Sequence, residues 1–222
     1  MGEHPAVGWR VEHWHGPAGE FHAMDPEPVR AVRAVRVSRP VMVLGSTQPE
    51  SDIDTAAAAR LGLDVARRRS GGGAVYLHPD DSTWVDITIP RDDVLWVDDV
   101  SSSMRWVGDA FAAALGPAVQ AGAVAVHDGP FRAGDLSRAY CFAGLATGEV
   151  TLSGAKLVGV SQRRGRHGAR LQCVVYHRID PEDFAPCFAN AGIATAVRGV
   201  EVAESPLGRA VLLDALLAAL PH

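Results

Sequence analysis

The chain of 222 residues is poor in several things. It carries a single lysine, Lys156, against 20 arginines. Its net charge of -5 at neutral pH leaves no basic excess for general nucleic-acid binding, so no nucleic acid is expected as a partner. Its three cysteines, Cys141, Cys173 and Cys187, are an odd number without a C-x-x-C, which excludes a disulfide framework and a zinc site. No run of 18 apolar residues is present, so no membrane span is expected. The opening, Met1-Gly2-Glu3-His4-Pro5, lacks the basic-then-apolar pattern of a secretory signal. These absences point to a soluble protein of a reducing cytoplasm. The length suits one domain spanning 1–222 with a core of its own.

The hydrophobic pattern is that of an α+β domain. A strand is expected near residues 9–13, followed by loop to about residue 30. Val41-Met42-Val43-Leu44, closed by Gly45, reads as a buried strand. Residues 52–61 hold four successive alanines and read as a helix, ended by Gly62 in the position after the last turn. Strands are expected over 63–66 and 84–89, the second with one polar face. Residues 101–115 predict an amphipathic helix starting at Ser101 and stopped by Gly116-Pro117. Further strands fall at 124–126, 149–152, 156–160 and 169–176, and a last helix over 206–220, with Ser205 as N-cap and Pro206 at its first position. Long antiparallel-looking strands with helices gathered elsewhere suggest a mixed, largely antiparallel sheet rather than a doubly wound one.

The lone lysine lies between Gly154 and Gly159. An ammonium is compact and can lose its proton when desolvated; a guanidinium cannot. A second glycine-rich segment, Arg67-Arg68-Arg69-Ser70-Gly71-Gly72-Gly73-Ala74-Val75-Tyr76, is costly in backbone entropy and packs little. It makes sense where main-chain amides must approach a carboxylate, phosphate or thioester carbonyl. It matches neither a P-loop nor a Rossmann turn.

Together these segments carry a resemblance. Arg-Arg-x-Ser-Gly-Gly-Gly-Ala-Val-Tyr, then about 80 residues on Gly-x-Lys-Leu-Val-Gly-x-Ser-Gln-Arg-Arg, resembles the cofactor-attachment family of lipoate–protein ligases, octanoyltransferases and, more distantly, biotin–protein ligases. The likeness runs from about residue 40 to 176, and Gly45-Ser46-Thr47-Gln48 is similar to a short Gly-x-x-Gln segment of the family. The resemblance implies that Arg68, Ser70, Gly71, Gly72, Gly73, Ala74 and Val75, with Gln48 and Gly159, line an acyl site, and that Lys156 polarises the acyl carbonyl. It also shows departures. Leu77 separates Tyr76 from His78, where the family has His-Asp directly, and Cys173 follows Gln172 where the family often has histidine.

Cys141-Phe142 lies 15 residues before Lys156 and resembles the cysteine-bearing octanoyltransferases of the ligase-like branch, in which this cysteine accepts the acyl group. The resemblance therefore implies transfer of an octanoyl or lipoyl group from an acyl carrier protein or from lipoate to a lysine of a lipoyl carrier domain, through an acyl-cysteine and with no tightly bound cofactor. The alternatives are an ATP-dependent ligase, with ATP and Mg as cosubstrates and a lipoyl-adenylate intermediate, and a non-catalytic acyl-binding homologue. The chain closes at His222, soon after the matched region, so a separate C-terminal accessory domain is not expected. Cys173 and Cys187 read as core residues. His13 and His15 alternate on a strand without a third ligand, and no metal is expected there. Asp98-Asp99 suits a helix start, and Asp80-Asp81 suits a turn. Arg163, Arg164, Arg166 and Arg170 form the densest basic cluster, either a solvated hairpin tip or a contact for an acidic carrier.

Overall fold

The computed structural model describes residues 8–100 and 102–222. In chain order the elements are β1 (Arg10–Gly16), α1 (Ala18–Ala23), β2 (Ala31–Val37), β3 (Val41–Leu44), α2 (Thr55–Arg60), β4 (Asp64–Arg67), β5 (Val75–Leu77) and β6 (Ser82–Pro90). They continue with α3 (Arg105–Leu115), β7 (Val124–Val126), β8 (Val150–Leu152), β9 (Ala155–Arg164), β10 (Gly168–Tyr176), α4 (Ala191–Val197) and α5 (Arg209–Ala219). Seven strands form one sheet in the order β1-β2-β6-β10-β9-β8-β7, antiparallel except for the parallel β1–β2 edge pair. A second sheet, β4-β3-β5, is small and mixed. This is the α+β domain with a mixed, largely antiparallel sheet that the sequence predicts.

The large sheet separates two cores because strand side chains alternate. On β6, Val85, Ile87 and Ile89 pack with Phe111, Leu115, Leu212 and Leu216 of α3 and α5. Trp84, from the other face, packs beneath β3, β5 and α1 with Met42, Tyr76 and Phe21. Asp86 also belongs to that second face, yet it is fully buried. The polar face expected of β6 is therefore covered. Arg170 Nε reaches Asp86 Oδ2 at 2.6 Å and Gln172 Nε2 reaches the same oxygen at 3.0 Å, which compensates the burial of the carboxylate.

Several boundaries differ from the sequence expectation. Residues 18–23 form a helix and 31–37 a strand in stretches with no expected element. The last helix begins at Arg209, with extended Gly208 as N-cap. Ser205 Oγ instead accepts from Leu207 N at 3.1 Å, a tight local turn that uses up its capping oxygen. α3 begins at Arg105 after a turn, and the expected start at Ser101 lies outside the described residues. α2 keeps its expected stop, since Gly62 sits at φ +73°. Among the described residues no helix is long and apolar enough to cross a membrane.

Candidate functional site

The glycine loop and the Cys141 segment meet through backbone hydrogen bonds. Ala74 N donates to Ala139 O at 2.8 Å, and Cys141 N donates to Ala74 O at 2.9 Å. Gly73 must lack a side chain here, because a Cβ would stand 2.7 Å from Tyr140 N. Gly72, at φ +96°, brings the loop over the thiol: a Cβ there would lie 4.0 Å from Cys141 Sγ. The buried Arg68 guanidinium fixes the loop from below, donating to Gly71 O, Gly73 O and Val43 O at 2.7, 2.8 and 3.3 Å. Ser70 Oγ donates to Ser161 Oγ at 3.0 Å and ties the loop to β9. Gln48 is also structural: its Nε2 donates to Ala139 O and its Oε1 accepts from Gly45 N.

Beneath this junction lies a cavity of about 30 Å³. Val43, Val75, Leu77, Trp84, Phe142 and Val174 form its apolar wall, and Gly159 is part of its floor. Its polar lining comes from His22, Arg68, Cys141, Ser161 and Gln172. The space matches one water, so an acyl chain enters only if the wall parts. Of the loop residues expected to line an acyl site, Arg68 and Val75 border this space, and Ser70, Gly71, Gly72, Gly73 and Ala74 do not.

Lys156 stands next to this cavity rather than in it. Its ammonium, 5% exposed, lies 2.7 Å from Glu149 Oε1 and donates to Cys141 O and Gly144 O, both at 3.0 Å. Those three oxygens use its three protons. It also sits over the Phe142 ring at 5.0 Å. Lys156 borders a different, open groove of about 700 Å³ with Arg132 and Glu201, and Phe142 forms a wall of both spaces. The expectation of one cavity shared by Gly72 and Lys156 thus gives way to two spaces with the Cys141–Phe142 turn between them. The reason is Glu149, a buried carboxylate that also accepts from Ala146 N and Val160 N and draws the ammonium toward the turn. Sequence reasoning missed its part, although it precedes the lysine by seven residues.

The other cysteines are placed differently. Burial pushes the Cys173 thiol well up and the Cys187 thiol up to about 12. Neither lines the cavity; Cys141 does.

Sequence reasoning also missed His22, because it lies in the stretch expected to be loop. Its ring is 4% exposed, stacks at 4.8 Å on Trp84 and sits 3.5 Å from Gln172 Nε2. Burial, then the charges of Arg170 and Arg68, push its pKa down to about 3. His22 Nε2 and Trp84 Nε1 are both buried without a hydrogen-bond partner, at a cost of roughly 1–3 kcal/mol each.

The basic cluster disperses. Arg170 is buried on Asp86, Arg164 lies 3.9 Å over the Trp96 ring, and Arg163 is 3.6 Å from Asp25. Of the four, Arg166 alone is exposed. His13 and His15 are exposed on β1, and among the described residues no group of three His, Cys, Asp or Glu is placed to hold a metal.

The Lipoyl protein ligase A/B catalytic domain family matches residues 21–209, and the chain belongs to that family. No curated protein matches the chain in sequence. In fold it is similar to the bi-partite lipoate protein ligase of Thermoplasma acidophilum, 16% identical over 95% of this chain and 81% of that one, with a TM-score of 0.66. It is equally similar to a lipoate-protein ligase A bound with ATP, 16% identical over 95% and 83%, TM-score 0.68. A P. falciparum protein in complex with lipoate, LipL1, is 11% identical over 96% of this chain and 61% of its own, TM-score 0.64.

Proposed function

We propose that the protein moves an octanoyl or lipoyl group onto a lysine of a lipoyl carrier domain through an acyl-cysteine at Cys141. The observation that carries this reading is placement: of three cysteines, Cys141 alone lines the apolar cavity beneath the glycine loop. Its thiolate attacks the donor thioester, and the donor's thiol leaves with a proton. The acceptor lysine, arriving as a free amine, then attacks the acyl-cysteine. An amide forms and the Cys141 thiolate leaves, while the proton lost from the amine passes to water. Loop amides above Cys141 are the donors available to the developing oxyanion. Lys156 acts by holding the carbonyls of Cys141 and Gly144, which sets the angle of the thiol.

The ligase reading, with ATP and Mg as cosubstrates, draws on the open groove bordered by Lys156 and Arg132, which is roomy enough for a nucleotide. One experiment separates the two. The purified chain is exposed to an octanoyl-carrier thioester, and separately to lipoate with ATP and Mg, and the enzyme and a lipoyl domain are weighed. A hydroxylamine-sensitive increment on the enzyme, absent in Cys141→Ser, supports the acyl-cysteine. Normal modification of the lipoyl domain by Cys141→Ser with lipoate and ATP replaces it with the ligase. Acyl binding without any modified domain leaves a non-catalytic homologue.

A further inference from the structure

A second groove lies across the large sheet from the Cys141 cavity and shares only Trp84 with it. It has a volume of about 700 Å³ and runs between the edge strand β1 and helix α5, over β2. Val11 pairs with Val32, His13 with Ala34 and His15 with Arg36, so these six side chains share one face of the sheet, the face on which α5 packs. α5 runs opposite to β1. At its start Arg209 donates to Ser82 O at 2.6 Å, and just past its end Pro221 O accepts from Trp9 Nε1 at 2.8 Å, immediately before β1. Ala210, Leu213 and Leu217, at helical spacing, form its side of the groove.

The groove is therefore polarised along its length. One end holds Val11, Val32 and Leu217, and Val11 is 40% exposed. The other end, roughly 13 Å along β2, holds His15, Arg36 and Arg209. Arg36 is paired with Asp80 at 2.6 Å. Arg209 has no such answer. Its half-buried guanidinium donates only to the backbone carbonyls of Pro79 and Ser82, and its Nε has no partner. Burial and the like charge of Arg36 hold its pKa down. α5 begins at the same end, with Gly208 as N-cap, so its first-turn amides have no side-chain acceptor. Asp214, the one carboxylate of the lining, is exposed. An extended peptide laid here would set its backbone groups against alkyl side chains for most of the length. A single alkyl chain with one anionic head would not.

The geometry points to this groove as a second ligand site that takes an amphipathic anion, with a carboxylate head against Arg209 and Arg36 and a medium-length alkyl chain along Val32, Leu213 and Leu217. It is separate from the Cys141 site, and its test reads binding alone, so it stands or falls independently of the reaction assigned to Cys141.

The test is calorimetric titration of decanoate, with acetate and decyltrimethylammonium as controls, into the full chain and two variants at Ala210. That residue is exposed in the first turn of α5 and lines the charged end. The wild type should bind decanoate, the cationic amphiphile at least roughly tenfold more weakly, and acetate not measurably. Ala210→Glu suits a helix start and should melt no lower than the wild type. It should nevertheless weaken decanoate by roughly tenfold or more, because it places a carboxylate where the head sits. Ala210→Gln has the same size without the charge and should stay within roughly threefold of the wild type. Hydrogen–deuterium exchange should slow over residues 10–16 and 209–217 when decanoate is bound. Absence of decanoate binding in the wild type overturns the proposal. So does unchanged affinity in Ala210→Glu, or protection confined to the glycine loop.

Discussion

Lys156 and Glu149 are 5% and 2% exposed, and each supplies most of the compensation for burying the other. Truncating one strands the other. Lys156→Met should lower unfolding free energy by about 3–5 kcal/mol in urea titration, and Lys156→Met with Glu149→Gln by clearly less. A small loss in the single variant would show that the pair is not the anchor of the 141–144 turn. The glycine loop gives a second contrast between neighbouring residues. Gly73→Ala pushes a methyl to 2.7 Å from Tyr140 N and should cost about 1–3 kcal/mol while displacing the Cys141 segment. Gly71→Ala meets nothing within 4 Å and should leave stability and acyl transfer near wild type. Equal losses at both positions would contradict the packing role given to Gly73. At this scale the sequence made the loop, Cys141 and Lys156 visible through a motif. It did not show the socket of three oxygens around Lys156, because two of them are backbone carbonyls and carry no sequence signal.

The elements around His22 are held by one arginine. Arg170 of β10 grips Asp86 and donates to Phe21 O at 3.2 Å and Met24 O at 3.1 Å, so it pins α1 to the sheet. A helix of six residues has no independent stability. Arg170→Met should therefore release amide exchange over residues 18–23 before the β6–β10 ladder opens, as read by hydrogen–deuterium exchange. Uniform loss of protection across the whole chain would rule out a local latch. This latch explains which elements could be read from sequence. The regular strands and helices with clear periodicity, such as β3, β10 and α3, were legible. α1 was not, because Pro, Gly and His dominate its stretch and its order comes from Arg170, far along the chain. β2 was not, because Arg33 and Arg36 break its alternation. Arg33 is buried there beside Asp86, at 3.7 Å, an ion pair that only the assembled sheet provides.

The whole molecule carries the consequence of burying His22 as a neutral ring. Its folded pKa of about 3 lies below the 6.5 of an unfolded histidine. Between those values the unfolded chain binds a proton that the folded chain refuses. Stability from this group is therefore complete above about pH 6.5 and falls as pH drops toward 3, by up to about 1.4 kcal/mol per unit. His177, also lowered by burial, acts in the same direction. The carboxylates held low by arginine partners, Asp93 and Glu182, lose their contribution only at pH below their ordinary values of 3.8 and 4.5. Asp86, whose pKa burial pushes up, takes up its proton in the folded chain and acts in the opposite direction. In urea titrations from pH 6.5 to 5, the wild type should lose stability through its histidines as acid is added, net of the opposing contribution of Asp86. His22→Phe should flatten most of that slope, because phenylalanine fills the same place on Trp84 without a proton to refuse. A slope unchanged in the variant would mean that His22 charges within the folded protein, and the ring would then face water or a carboxylate rather than the closed cavity beneath the glycine loop.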